Sequence, residues 1–228
     1  MTALRSAAFT NSPAPAVQPE LPACDLCAAF ATASAAPRSP FAPGEQLFRQ
    51  GDPVRLVYRV QKGAVISYRL LSDGRRQVTA FHLPGDFVGL EAGIEHTTTA
   101  EALSTVHASA IERSELAARA DVHNSLARAL WQITVRAVHR SEHHALILAR
   151  QGATERVVAF LLDFAGRLGH PEFIDLPMTR QDIADYIGLT IHTVSRTLSQ
   201  LQAEGLIEAR STRHVRIVQR GRLESLCA

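Results

Sequence analysis

Three groups of side chains in this sequence have types and spacings that could do chemistry. The first is the pair Cys24 and Cys27, whose CxxC spacing suits a redox couple or half of a metal site. The second is the ten histidines, among them His82, His96, His107, His143 and His144, whose imidazoles could hold haem or a metal. The third is a cluster near the C-terminus, His192, Thr193, Ser195, Arg196 and Ser199, followed by Arg210, Arg213, Arg216, Arg220 and Arg222. Small side chains beside one long donor suit close approach to base edges in the DNA major groove, where arginine can bond guanine at two points. No acidic residue falls between 209 and 222, so the later arginines form a local basic patch fit for phosphate. No P-loop, GxSxG or HExxH is present, and no spacing among the histidines forms a ligand motif.

Presenting the third group requires a helix that is anchored on its other side. In "LPMTRQDIADYIG", Thr179 is the expected N-cap, and Asp182 three residues on makes a capping box with Asp in place of Glu. Ile183, Ala184 and Ile187 give that helix an apolar face, and Gly188 ends it in the left-handed conformation. Thr190 then caps a second helix from Ile191 to about Glu204, with Ile191, Val194, Leu198 and Leu201 inward and positions 192, 193, 195, 196 and 199 outward. Helix, tight turn, helix is the helix-turn-helix spacing. "GLIEARSTRHVRIVQRGR" adds two strand-like runs about a Ser-Thr turn, which predicts a wing. The candidate DNA-contacting set is Thr179, Arg180, Thr190, His192, Thr193, Ser195, Arg196, Ser199 and Arg213. A winged helix used only for protein contact, in a CxxC redox or metal protein, is the alternative from another class.

Upstream, residues 1–43 are rich in Ala, Pro and Ser without periodicity and read as a flexible arm. From Gly44 to about residue 121, glycines punctuate short runs such as "LVYRVQ" and "AVISYRLL", and "SDGR" between two of them signals a hairpin, so a β-roll domain is expected. Residues 122–150 read as one long helix with two adjacent apolar stripes. One stripe can lie on the roll, which frees the other as a seam for a second copy of the chain. The candidate seam is Leu126, Leu130, Ile133, Ala137, Val138, Ser141 and Ala145, and a homodimer is the expectation. Residues 151–228 form the winged helix-turn-helix domain. The fold class is therefore α+β, a β roll, a long dimerisation helix and a winged helix.

At 228 residues, the chain can hold two modest cores, and its net charge of +2 excludes a basic surface over the whole molecule. The odd cysteine count and the absence of an apolar run near 18 residues argue for a reducing compartment without a membrane span, hence the cytoplasm.

"MTRQDIADYIGLTIHTVSRTLSQLQAEGLI", "LPGDFVG" followed by "TAEAL", and "ERVVAFLLDFAGRL" resemble the CRP/FNR superfamily of transcription factors, and its FNR/FixK branch most closely. The resemblance covers residues 44 to 226. It implies a cyclic-nucleotide-binding-like β roll and an activator, partnered by RNA polymerase, that binds TTGA...TCAA-type double-stranded DNA in low-oxygen or nitrogen-oxide metabolism. Three departures qualify it. Of the four cysteines that hold the [4Fe-4S] cluster in oxygen-sensing members, Cys24 and Cys27 match the first pair, but the others fall on Ala33 and Ser109, so no intact cluster is expected. The Gly-Glu and Arg-Ser pairs of cyclic AMP-binding members are replaced by Gly89-Leu90 and an arginine-free "HTTTAEAL", so cyclic AMP is not expected either. His192 stands where FNR and FixK commonly carry Glu, which alters the reach toward a base. No cofactor is expected; haem, in a nitric oxide-sensing member of the same family, is the alternative.

Overall fold

The computed structural model describes residues 25–33, 40–169, 171 and 173–227. Helix α1 (Asp25–Ala31) precedes seven strands: β1 (Gln46–Phe48), β2 (Leu56–Lys62), β3 (Val65–Leu70), β4 (Arg76–His82), β5 (Phe87–Val88), β6 (Thr99–Ala102) and β7 (His107–Glu112). They pair antiparallel as two sheets, β1-β6-β3-β4 and β5-β2-β7, and form the roll. Period-two burial supplies its inside: Tyr58 and Val60 of β2 meet Val65, Val88, Ala100, Ala108 and Ala110 in one core. The "SDGR" hairpin forms as expected, with Leu71 and Arg75 bonded across it and Leu70 opposite Arg76.

Short α2 (Arg113–Val122) leads into α3 (Asn124–Ala149), which runs 26 residues, about 39 Å at 1.5 Å per residue. After it come α4 (Ala153–Arg167), β8 (Ile174–Asp175), α5 (Arg180–Ile187), α6 (Ile191–Ala203), β9 (Ile207–Ala209), β10 (His214–Ile217) and α7 (Arg220–Ser225). The wing is three-stranded, β8-β10-β9, because "FIDLP" donates Ile174 and Asp175 to β10. Sequence periodicity gave no sign of that two-residue strand.

The expectation of an unstructured arm through residue 43 needs correction. "DLCAAFA" forms α1, and Leu26, Ala29 and Phe30 are buried against Val57, Ile111, Leu116, Leu126 and Ala129. Phe30 meets Phe87 with ring centroids 5.4 Å apart, and Phe41 is buried with a bridge to Val106. Seven residues are two turns, too few to display a helical stripe. Cys24 lies outside the described residues, and Cys27 belongs to α1.

The roll and the winged helix share one core. Ile66, Val78 and Phe81 on the outer face of β3 and β4 pack with Ile147, Phe160, Leu161, Ile183, Tyr186 and Ile187. Phe81 lies 5.1 Å from Tyr186 and 6.2 Å from Phe160, centroid to centroid, within the range for favourable aromatic pairs. Polar contacts border this core. Arg76 bonds Asp182 and, at 2.9 Å, Asp185, while Gln77 donates to the Asp185 carbonyl at 2.7 Å. Asp86, buried in the β4–β5 turn, accepts from Arg140 of α3 at 2.8 Å and from Arg167 of α4 at 3.1 Å. These two arginines outweigh the cost of burial and hold the Asp86 carboxyl below the usual range.

His82, at the end of β4, is bonded to Ser67 Oγ at 2.8 Å, and burial pushes its imidazole from 6.5 down to about 4. The fold thus prefers the neutral ring. Its contribution is complete above pH 6.5 and is lost as pH falls from there toward 4, because the unfolded chain takes up the proton first. We expect the urea midpoint to fall over that interval and His82→Gln to flatten the fall. Identical slopes in the two proteins would show that His82 carries none of it.

Candidate nucleic-acid interface

The capping chemistry that positions the helix-turn-helix is present in full. Thr179 Oγ1 accepts from Asp182 N at 3.1 Å, and Asp182 Oδ2 accepts from Thr179 N at 2.8 Å and from the Thr179 hydroxyl at 2.7 Å. Such a box fixes where α5 begins. Gly188 closes α5 at φ +67°, a conformation that L side chains rarely adopt, so the turn into α6 depends on glycine. Thr190 Oγ1 then accepts from Thr193 N at 3.2 Å and starts α6.

Helix α6 is anchored by Val194, Thr197, Leu198 and Leu201, all buried. Ile191, expected inward, is 37% exposed instead, and Thr197 takes the inward place. The reason is angular: Ile191 sits at the edge of the stripe and in the first turn, where the helix projects past its support. On the opposite side His192, Ser195, Arg196 and Ser199 are exposed together. Spaced 0, 3, 4 and 7, they occupy one face, and none is drawn into a core. Thr193 is half-buried at the margin, its hydroxyl 2.9 Å from that of Thr190. Those two threonines and Thr179 therefore build the helix starts, while the four exposed residues share the outer face of α6.

Arg180 follows the α5 cap and is partly buried. Its Nη1 has no hydrogen-bond partner among the described residues, and burial lowers its pKa. In the wing, Arg213 is exposed at the tip between β9 and β10. The basic run is less free than its sequence suggests. Glu208 lies 3.5 Å from both Arg210 and Arg216, and Glu224 lies 2.7 Å from Arg220. Both acids stand just outside the 209–222 window. Arg210 and Arg216 also stack over Phe173, at 4.0 and 5.7 Å from its centroid.

Along α3 the structure separates the two stripes. Leu126 is 1% exposed and belongs to the core with α1, and Leu130 and Ile133 pack against that core, so these three members of the expected seam face their own roll. Ala137, Val138, Ser141 and Ala145 are exposed. The exposed row continues toward the N-terminus through Thr134, Trp131 (69% exposed) and Ala127, and toward the C-terminus through half-buried Leu148. With Ala137 set to its flank, the spacings of the row from Ala127 to Leu148 are 4, 3, 4, 3, 4 and 3, a heptad. Thr134 donates its hydroxyl to its own helix at Leu130 O, 3.0 Å away, so its polar group is met within the helix. Trp131 and Val138 lie on one of the two apolar stripes and Leu126, Leu130 and Ile133 on the other, and only the arrival of the roll decides which is covered.

The histidines upstream of the winged helix are dispersed. His96 stacks on Phe48 at 3.6 Å and bonds Glu91 at 2.9 Å; His143 pairs with Asp163 at 3.3 Å; His144 stacks on Tyr186 at 3.8 Å. Among the described residues no group of three or more His, Cys, Asp or Glu side chains could hold a metal ion, and no helix is long and apolar enough to cross a membrane. Glu91 also accepts from Thr97 N and its hydroxyl at 2.8 Å, so the carboxylate beside Gly89 is already spent within the protein.

A β roll, a long helix with an exposed heptad and a capped winged helix with an uncommitted polar face together define a DNA-binding regulator. Residues 38–122 match the cyclic nucleotide-binding domain model, and residues 155–226 match that of the Crp-like helix-turn-helix domain. The nitrogen fixation regulation protein FixK of Rhizobium meliloti (strain 1021) is 43% identical over 187 residues, 82% of this chain and 85% of that protein. The transcriptional activator protein FnrA of Stutzerimonas stutzeri is 35% identical over 186 residues, 78% of this chain and 75% of that one. The structure of FixK2 from Bradyrhizobium japonicum superimposes with a TM-score of 0.79 at 43% identity, covering 83% of this chain and 96% of that chain. The chain belongs to the CRP/FNR family of transcription regulators, on its FixK-like branch. It is a sequence-specific DNA-binding regulator and not an enzyme.

Proposed function

We propose that the chain acts in the cytoplasm as a homodimer that binds TTGA...TCAA-type palindromes and activates genes of low-oxygen or nitrogen-oxide metabolism by contacting RNA polymerase. One observation carries the DNA reading: α6 buries Val194, Leu198 and Leu201 and leaves His192, Ser195, Arg196 and Ser199 together at its outer face. In this reading Arg196 bonds guanine at two points, Ser195 and Ser199 allow close approach, and His192 reaches a flanking base. Arg180 finds in a phosphate the acceptor that its buried Nη1 lacks, Arg213 meets the backbone from the wing, and Thr179, Thr190 and Thr193 aim the helices. The roll (44–121), α3 (within 122–150) and the winged domain (151–228) are sensor-like, dimerising and DNA-reading units. The exposed heptad of α3 supports dimerisation, which would place two α6 helices about 34 Å apart, one turn of DNA. The FixK and FnrA relatives, a nitrogen fixation regulator and an activator, support the metabolic reading.

Fluorescence anisotropy at fixed salt, without added ligand, tests the reading. A TTGAT-N4-ATCAA duplex is expected to bind about 10³-fold or more tighter than a scrambled duplex. Equal affinities would remove this palindrome as the target.

A further inference from the structure

A cleft of about 760 Å³ opens between β2, the β4–β5 turn, α3 and the last turn of α4, with Tyr186 of α5 at its edge. Four arginines line it: Arg59, Arg136, Arg140 and Arg167. Asp86 is the one carboxylate in that lining, and Arg140 and Arg167 share it. The other two cations have no carboxylate partner among the described residues. Arg136 Nε donates to the Gln132 carbonyl one turn back at 3.3 Å, leaving the rest of its fork for other acceptors. Arg59 Nε is buried with no hydrogen-bond partner among the described residues, a cost that an acceptor in the cleft would relieve.

Four guanidiniums against one carboxylate leave a surplus of three positive charges around a partly enclosed space. Guanidinium forks match the oxygens of a phosphoryl group better than they match water or a halide. Ile133 and Phe87 add an apolar wall able to take an organic portion. None of Gly89, Leu90 and Glu91, and no residue of "HTTTAEAL" (96–103), where the resemblance places the nucleotide-holding pairs of cyclic AMP-binding members, lines this cleft. We propose that the cleft binds a phosphoryl-bearing anion, held chiefly by Arg59 and Arg136, with Arg140 and Arg167 completing the positive rim. Because its walls belong to the roll, the long helix and the winged helix, an occupant bridges all three. Its affinity and that for DNA are then coupled by the same factor in both directions.

The test is calorimetric titration of the full-length protein with inorganic tripolyphosphate and, separately, with ATP. One site per protomer is expected, weakened about tenfold or more in Arg59→Gln/Arg136→Gln, as loss of charge-assisted bonds implies. Arg196→Ala/Arg213→Ala, which strips cations from the DNA-facing surface, is expected to bind the anion as the parent protein does. Binding of both probes assigns the phosphate chain as the recognised group; binding of ATP alone assigns a nucleotide, and of tripolyphosphate alone an inorganic anion. Melting curves report whether the double glutamine variant folds. If it does not, Arg136→Gln alone carries the test, since among the described residues Arg136 bonds only its own helix. No binding of either probe below about 1 mM, or binding lost in Arg196→Ala/Arg213→Ala but kept in Arg59→Gln/Arg136→Gln, would overturn the proposal.

Discussion

Val138→Glu is expected to run as a monomer at micromolar concentration in analytical ultracentrifugation and to lose about 10²- to 10⁴-fold in affinity for a palindromic duplex. Val138 occupies the middle of the exposed heptad, between Thr134 and Ser141, and is 51% exposed in the single chain. In a twofold seam each such position faces its own copy, so one substitution sets two carboxylates against each other in a desolvated place. A monomer still reads one half-site, but it forfeits the effective concentration that makes the second half-site almost an intramolecular contact, and the quoted range is that loss. Trp131→Ala, at the same seam, should weaken self-association without introducing charge. Retention of the dimer by both variants would exclude this face and direct attention elsewhere on α3.

The second large effect belongs to Arg196. Arg196→Ala should cost about 1 to 3 kcal/mol per half-site on the specific duplex and relax discrimination at one base pair, while binding to scrambled DNA changes little. Arg213→Ala makes the informative contrast. As an exposed wing residue suited to phosphate, it should weaken specific and nonspecific binding alike and lower the salt slope by about one. If Arg196→Ala left the ratio of specific to nonspecific affinity unchanged, its role in base reading would be withdrawn. Charge reaches this face unspent: no hydrogen bond or ion pair ties Arg196 to another described side chain in the free protein, whereas Arg210, Arg216 and Arg220 all have acidic neighbours.

Local chemistry was readable from the sequence wherever the partner is a few residues away. Thr179 with Asp182, Gly188, Thr190 and the hairpin at Gly74 are all such cases, and each forms as its spacing predicts. Contacts that depend on which distant surface arrives were not readable. Leu126 and Val138 are both apolar residues on an amphipathic helix, and only the arrival of α1 and the roll makes one core and the other exposed. α1 was not readable either, because two turns of Ala-rich chain resemble a linker until Leu26 and Phe30 are buried. Likewise the acids that neutralise part of the wing lie outside its basic run, and pairing with Glu208 is decided by strand register, not by adjacency.

Asp182 carries two duties at once. It closes the capping box that starts α5, and it receives Arg76 from the roll, next to Asp185. The carboxylate that sets the register of the winged helix is thus also the one by which the roll grips it. Exchangeability of the modules is limited accordingly. A chimera that joined this winged helix to a foreign sensor would need to import the Arg76–Gln77 end of the β3–β4 hairpin with it. Otherwise Asp182 and Asp185 would face the new partner as two uncompensated negative charges at the seam between the halves.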